Sequence, residues 1–537
     1  MSNLESIVDH DAHPFKGQFE DQNAWKDQPP RGREIRKRLF AELCRILEFL
    51  DARDDRLSFH EVERKLVPMV FVLGRLLLAY FLTRRQETSR RRLRQRAPQG
   101  YRSGRSQSRL LGTFFGKVRY WRCYLRESGG SAGTYPLDIE LGLTADGFSM
   151  FVLALAARLA TLVSFDQAGG LLLTFLSWSP AKRTIENTVL GFGRYTGEWF
   201  ECAAPPEGDG EILVIQIDSK ATPTATDGEL KKRRGKRDRR PRAPSPRHRG
   251  RQERQRRGSK PRRKKGDKSK NGKATTVVVM YTLKSGRDAK GRSVLLGPIN
   301  RWLYASYAPK RHAFAVARRE ADKRGFSTES EKIIQIVTDG DEDLERYRRE
   351  FFPDAIHTLD IMHALEYVFK AGSCLYREGS RELERWFDRK KALLYDGKAK
   401  KLLADLKRHR RRDIPRTGPG TKSKRDKLTK VIGYLEKRLD MMEYDLLRAE
   451  DLEIASGSVE GVVKHLVAKR FDNGSMRWIK ERAEALLQLR AIEINGHWDE
   501  FIAFVHTRVL DAQEAKMALT RLLTDKPAHL PNLGVAA

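Results

Sequence analysis

Residues 211–218 read EILVIQID and residues 332–339 read KIIQIVTD. Each is a short run rich in Ile and Val that stops on an aspartate. Runs of this length, closed by turn-forming residues, read as strands buried in a sheet. Working outward, ATTVVVMYTLK at 274–284 is a second strand and 293–304 a third, with a helix at 313–324. The run at 332–338 is the fourth strand, and a short helix at 341–349, a fifth strand at 355–359 and a helix at 361–376 follow. Residues 380–450 read as helices rich in Lys and Arg, with further helices at 457–470, 477–494 and 497–509. This alternation predicts an α/β fold.

The acids at the strand ends are the chemical signal. In an α/β sheet, residues just beyond the carboxyl ends of strands form the ligand crevice. Asp218 and Asp339 hold such positions, and Glu460 lies near the start of a later helix that could bring its carboxylate beside them. Taken singly, an Asp after a strand is often a turn former or a helix cap, and Glu460 has Lys464 at i+4 as an ion-pair partner. Taken together, three carboxylates at one crevice repel unless cations neutralise them. Mg²⁺, which takes carboxylate oxygens and keeps water, suits them. Two such ions, ~4 Å apart, clamp an in-line displacement at phosphorus. Asp360 and His363, spaced i,i+3 after the fifth strand, read either as companions of this site or as a cap and a core histidine.

Composition points the same way. The chain has 537 residues, room for about three or four domains, and carries 105 Lys and Arg against 71 Asp and Glu, a net charge of +34. An enzyme of small neutral metabolites has no need of such a charge; a polyanion such as nucleic acid does. Four cysteines, far apart, exclude a disulfide framework and a Cys-rich zinc module. No signal peptide is expected from the first residues. Two apolar runs, 66–82 and 148–165, each contain an arginine, so both are expected to be buried helices rather than membrane spans.

The charge is concentrated. Residues 231–270 hold 22 Lys or Arg and three acids, too few apolar groups for a core, and are expected to be disordered when free. Residues 89–109 carry eight Arg and no acid, and 398–430 carry 14 basic residues and three acids. In the N-terminal third, 34–85 reads as helix, 110–126 as a β-hairpin, and 146–200 as helix again. The pair 165–176 and 180–192, with Ser179 as N-cap and Pro180 at the first helical position, resembles a helix-turn-helix whose second helix would offer Lys182, Arg183 and Asn187 to DNA. After Glu460, the cations Lys464, Lys469, Arg470 and Arg477 would hold a DNA strand, and Trp478 or Trp498 would either stack on an unpaired base or belong to the core.

The order strand–Asp, two strands, helix, strand–Asp, strand, helix–Glu resembles the ribonuclease-H-like core of DDE transposases. The wording resembles the ISKra-type transposases of bacterial insertion sequences. The stretches that carry the likeness are Pro136-Leu137-Asp138 with Leu141-Gly142-Leu143, Gln216-Ile217-Asp218-Ser219-Lys220, and Val337-Thr338-Asp339-Gly340. To these are added Leu359-Asp360-Ile361-Met362-His363, Ala455 to Gly461, Gly474 to Trp478, and Asn495-Gly496-His497-Trp498-Asp499. They span about 110–505. The resemblance implies that Asp218, Asp339 and Glu460 are catalytic and bind two Mg²⁺ ions, with Mn²⁺ as a substitute, and that Asp360 and His363 stand beside them. It implies binding of element ends and target DNA, strand hydrolysis and strand transfer, a homodimer or higher oligomer, a bacterial cytoplasmic, nucleoid-associated location and no membrane partner. A structure-selective nuclease on the same core, or an inactive DNA- or RNA-binding protein, are the alternatives.

The expected layout follows. Residues 1–109 form a helical region with a basic linker, and 110–205 a β-hairpin and helix-turn-helix-like DNA-binding region. Residues 211–370 form the core, interrupted by a disordered basic insertion at 228–272. A basic helical insertion fills 371–452, the Glu-bearing end of the core 453–510, and a C-terminal helix and tail 511–537.

Overall fold

The computed structural model describes residues 31–51, 57–95, 101–127, 133–225, 272–418, 420–472 and 476–516. The basic block at 231–270 lies outside the described residues. The chain packs as two compact units, Met1–Gly191 with Asp499–Ala537, and Phe192–Trp498. This division differs from the expected layout in two places. The helix that begins at Trp498 belongs with the N-terminal unit from Asp499 onward, not with the end of the core. The DNA-binding region expected to reach 205 is split at Gly191.

The first unit opens with helices α1 (Gly32–Asp51) and α2 (Phe59–Gln95), followed by a hairpin of β1 (Tyr101–Thr113) and β2 (Gly116–Glu127). The hairpin is longer than the expected 110–126, and of the arginine-rich stretch at 89–109 the described residues, 89–95 and 101–109, are helix and strand. Its first part completes α2 and its last part is β1. Arginines at 102 and 105 sit on strand positions exposed to water, so a basic composition is compatible with pairing. The turn closes at Gly116, whose φ of +116° suits glycine. A short strand β3 (Gly133–Thr134) pairs with β2, and α3 (Pro136–Glu140), α4 (Met150–Leu162), α5 (Phe165–Leu176) and α6 (Lys182–Gly193) follow.

Ser164 and Gln167 form a capping box at the start of α5. Ser179 does not cap α6 as expected; its hydroxyl bonds the Pro180 carbonyl and the helix begins at Lys182. The run at 148–165 becomes the well-buried α4. The run at 66–82 does not become a buried helix: α2 contains a stretch of mean hydropathy 2.0, long and apolar enough to cross a membrane, of which only 28% is buried.

Asp138 ties this unit together. It is 6% exposed and accepts from Tyr120 Oη at 2.6 Å, from Arg109 Nη1 at 2.8 Å and from Arg122 Nη1. Arg109 also donates to the Thr144 carbonyl, and Arg122 lies over the Tyr135 ring. The motif Pro136-Leu137-Asp138 thus starts a helix that plugs the hairpin, and Gly142, with φ +62°, turns the chain so that Leu143 N reaches the Asp138 carbonyl.

The second unit begins with α7 (Thr196–Cys202) and holds a five-stranded sheet in the order β6-β5-β4-β7-β8. The strands are β4 (Ile212–Pro223), β5 (Gly272–Arg287), β6 (Ser293–Ser306), β7 (Ile333–Thr338) and β8 (Ile356–Leu359). Each of the five expected runs forms a strand. β4, β5 and β6 pair antiparallel, while β7 and β8 run parallel to β4, so the sheet is mixed and the fold is α/β. Helices α8 (Lys310–Lys323), α9 (Glu342–Phe351) and α10 (Ile361–Leu375) alternate with the later strands.

Between α10 and the Glu460 segment lies a helical insertion: α11 (Arg381–Tyr395), α12 (Ala399–Arg412), α13 (Thr421–Glu436) and α14 (Tyr444–Ala449). Most of its basic residues are exposed, though Lys390 and Arg438 are buried, around a core of Trp386, Leu402, Leu406, Leu428, Ile432 and Leu435 that continues into α10 through Leu365 and Val368. The chain then returns to the sheet as α15 (Gly457–Val462), a π-helical turn at Val463–Ala468, and α16 (Lys469–Phe471), before α17 (Lys480–Ile494) and α18 (Trp498–Lys516).

Replacing Asp138 by Ala leaves two part-buried guanidiniums without their counter-charge. The expected loss is about 3–5 kcal/mol of stability, read as a lowered urea midpoint for the unfolding step that reports the first unit.

Candidate active site

Strand register sets the site. β4 and β7 are parallel with Ile217 opposite Thr338, and β7 and β8 are parallel with Thr338 opposite Leu359. The next residue in each is an aspartate, so Asp218, Asp339 and Asp360 stand level across three adjacent strands ~4.8 Å apart. Asp339 and Asp360 lie just past the ends of β7 and β8, whereas Asp218 does not end its strand as expected, because β4 runs on to Pro223 paired with β5. Each also makes a local bond: Asp218 accepts from Ser219 N at 2.6 Å, Asp339 from Asp341 N at 2.9 Å and Asp360 from Met362 N at 2.8 Å.

Two buried glutamines bring the fourth acid to this edge. Gln216 and Gln335 are both fully buried in the middle of β4 and β7. Gln216 Oε1 accepts from Val459 N at 3.0 Å, and its amide donates to Tyr281 Oη at 3.0 Å and to the Ala455 carbonyl at 3.4 Å. Gln335 Oε1 accepts from Glu453 N at 3.0 Å, and its amide donates to the Glu453 carbonyl at 2.7 Å and to Thr358 Oγ1 at 2.9 Å. Ile361 N donates to the Ile454 carbonyl at 2.9 Å. The backbone of 453–459 is thereby fastened across the strands that carry the aspartates, and Glu460 follows at once, exposed, in the first turn of α15. The π-helical turn beyond it widens the helix by one residue, a distortion often found at functional sites.

The helical insertion grips the neighbouring turn. Tyr434 Oη donates to the Asp339 carbonyl at 2.5 Å and Arg438 Nε to the Gly340 carbonyl at 2.7 Å. Gly340 has φ +75°, and a Cβ there would meet Arg438 Nε at 2.4 Å, so only glycine fits. Tyr434 stacks on Tyr367 of α10 with ring centroids 3.6 Å apart.

The electrostatics show which groups share the site. Burial pushes the Asp218 carboxyl above its usual range; the bond from Ser219 N opposes this, and the charges of Asp339 and Glu460 add to it, while His363 offsets it. Burial would raise Asp360 too, but the bonds it accepts from His363, Ser456 and Met362 N overcome that and hold it low. Its Oδ2 takes His363 Nδ1 at 2.8 Å and the Ser456 hydroxyl. His363 is raised in turn, first by that bond to Asp360 and further by the charges of Asp360 and Asp339. Asp360 is therefore both a helix cap and the anchor of a histidine that feels the acid cluster.

Of the expected residues, Asp339, Glu460 and His363 come within electrostatic reach of Asp218. Among the described residues, no three His, Cys, Asp or Glu side chains gather closely enough to hold a metal ion. The donor set still fits a hard cation in kind. It offers carboxylate oxygens whose mutual repulsion already destabilises the charged form of Asp218, and Mg²⁺ commonly rests on one or two carboxylates with water and substrate phosphates rather than in a full protein cage.

The expected DNA contacts divide. Lys464 and Lys469 are exposed and Arg477 is half-buried. Arg470 and Trp478 do not face outward. Arg470 is 2% exposed, its pKa lowered to about 10 by burial and by Arg490, and it lies over the Trp478 ring. Trp478 is buried, bonds the Phe471 carbonyl through Nε1 at 3.2 Å, and its backbone pairs with Pro223 and Ala225 past the end of β4. A base cannot stack on a ring already packed in this way, and Trp498 is buried too. In the first unit, Lys182, Arg183 and Asn187 are exposed on the first turns of α6, with Lys182 paired to Asp166 of α5 at 2.7 Å.

The glutamines, Ser456, Tyr434 and Arg438 were not among the expected site residues. A glutamine interrupting each of two apolar strands was the visible sign of the first pair.

Two outcomes follow. Gln335→Leu strips the Glu453 backbone of its partners at a cost of about 1–3 kcal/mol, and amide exchange across 453–459 should quicken while the far strands β5 and β6 keep their protection. Asp218→Asn should raise the melting temperature of the metal-free protein at neutral pH, because it removes a buried charge beside two others. Mg²⁺ at tenfold its Kd should stabilise the wild type by about 1.4 kcal/mol and leave the variant unmoved; equal stabilisation of both would sink the assignment. No protein-family model matches this chain, and neither does any curated protein.

Proposed function

We propose that the chain is a DDE-type transposase of a bacterial insertion sequence, built on a ribonuclease-H-like core. The observation that carries this reading is the level placement of Asp218 and Asp339 on adjacent parallel strands, with Glu460 fastened beside them by the two glutamine clamps. The element order supports it: three antiparallel strands, a helix, two parallel strands, a helical insertion and an acid-bearing helix, as expected of that core. The net charge of +34 supports a nucleic-acid partner.

Asp218 and Asp339 would hold Mg²⁺ and Glu460 would complete its ligands, with Mn²⁺ as a substitute. Metal ions bound there would supply activation of the attacking water or 3′-hydroxyl and stabilisation of the leaving oxygen. The protein's own groups do the rest. The strand edge fixes two acids at one height, and the clamps hold the third while leaving it open to substrate. His363, held by Asp360 and raised in basicity, keeps its proton to a higher pH than a free imidazole and in that form would offer a cation to a phosphate. Lys464 and Lys469, on the turns after Glu460, would hold the backbone of the strand being cut. Lys182, Arg183 and Asn187 would read the element end. Arg470 and Trp478 have a structural part: they pack the turn that follows. The protein would act in the bacterial cytoplasm on DNA.

A second reading, a DNA-binding protein that keeps the core without activity, draws on the lack of a closed ligand cluster among the described residues. The test is a Mg²⁺-dependent reaction on labelled DNA carrying the flanks of the gene. Nicks at a defined terminus and joined products should form with the wild type and fall by a factor of about 10³ or more in Glu460→Gln, the scale of losing an electrostatic catalytic group. Nicks without joining would favour a nuclease. Tight binding without cleavage, in Mn²⁺ as well, would favour the inactive protein.

A further inference from the structure

We propose that the exposed apolar face of the α1–α2 pair is where a second copy of this chain docks, forming a two-fold four-helix bundle. Four large apolar residues on α1, Phe40, Leu43, Leu47 and Leu50, are 37–51% exposed. Their spacing of three, four and three is the a/d pattern of a helix made to face another helix. The inner seam of α1, through Ile35 and Ile46, is separately buried. On α2, Val67, Val70, Leu77 and Phe81 are exposed with matching spacing, interrupted only at Gly74, which lies beneath Phe115.

The two stripes lie at matching heights. Gly32 N donates to Glu87 Oε1 at 3.0 Å, and a Cβ on Gly32 would meet Arg84 at 3.2 Å. The helices are thus antiparallel, in a register that sets Phe40, Leu47 and Leu50 level with Leu77, Val70 and Val67. A single soluble chain rarely leaves so long an apolar strip open to water.

Charge selects the occupant. The first turns of α1 expose Arg33, Arg36, Lys37 and Arg38 with the single acid Glu34, and its last turns expose Glu48 and Asp51 with Arg45, which pairs with Glu42, so the two ends differ in net sign. An antiparallel pairing of α1 with a second α1 sets the basic end of each against the acidic end of the other, while Leu43 and Leu47 meet their counterparts at the centre. A lipid bilayer is a poorer match. The apolar stretch of α2 carries Arg75 in its midst, and Arg64 and Lys65 stand at its entrance. The pairing is independent of catalysis, and it would place two copies of the DNA-binding unit in one assembly.

The test uses the full chain at micromolar concentration. Sedimentation should give twice the 61.7 kDa of one chain, and Leu43→Glu with Leu47→Glu should halve that mass with an unchanged far-ultraviolet circular dichroism spectrum. Cys44, exposed between those two leucines, supplies a second readout that needs no disruptive change. In a Cys202→Ser background, mild oxidation should give a covalent dimer that vanishes when Cys44→Ser is added. A monomeric wild type with no cross-link, or a dimer that survives the double Glu variant, would overturn the proposal. So would co-flotation of the wild type with neutral phosphatidylcholine vesicles. If the double variant fails to fold, the Cys44 cross-link decides alone.

Discussion

Two glutamines buried in adjacent strands hold the second unit to its purpose. An amide inside an apolar sheet is tolerated only when its hydrogen-bonding groups are satisfied. Gln216 and Gln335 meet that demand with the backbone of 453–459, more than a hundred residues away in sequence. Because Asp218 and Asp339 follow at one level on these same two strands, the bonds that satisfy the glutamines also fasten the segment leading to Glu460 beside the aspartates. Position along the chain, not fine adjustment of side chains, puts the acids together: parallel register makes the aspartates level, and the clamps determine where the helix starts.

The edge is electrostatically strained and the protein supplies part of the relief. The charged form of Asp218 is destabilised by burial and by its acidic neighbours, while His363, whose basicity Asp360 raises, offsets part of this. Ser456, at the foot of the Glu460 helix, binds the same Asp360 oxygen as the histidine, so the pair is tied to the clamped segment. The helical insertion takes part as well. Through Tyr434 and Arg438 it secures the two carbonyls of the Asp339–Gly340 turn, which explains how so long an excursion leaves the site intact. These features support a cation-dependent, nucleic-acid-directed chemistry.

Much of this was legible in the residues. EILVIQID and KIIQIVTD declare themselves as strands because burial on both faces demands continuous apolar side chains; the aspartate marks the end of β7 but not of β4, which runs on to Pro223. The helices from Arg381 to Ala449 were read from the Lys- and Arg-rich run at 380–450. What was not legible depends on distant contacts. Trp478 and Arg470 look like surface groups in a basic stretch, but the chain past β4 folds over the tryptophan. The arginines at 102 and 105 look like linker until a partner strand turns them outward, whereas Arg109 and Arg122 turn inward to Asp138. The helix from Trp498 carries no local sign that it returns to the first unit. The apolar run at 66–82 promised a buried helix, but burial requires a partner surface, and the described residues leave most of its apolar face open.

The most direct measurement is a crystal structure of the protein grown with Mn²⁺ and a DNA end, with anomalous differences collected at the manganese edge. The account predicts a peak between the carboxylates of Asp218 and Asp339, with Glu460 drawn toward it and a phosphate oxygen of the DNA completing the ligands. Bound DNA with no anomalous peak at that edge, or with Glu460 turned away to pair with a lysine, would contradict it.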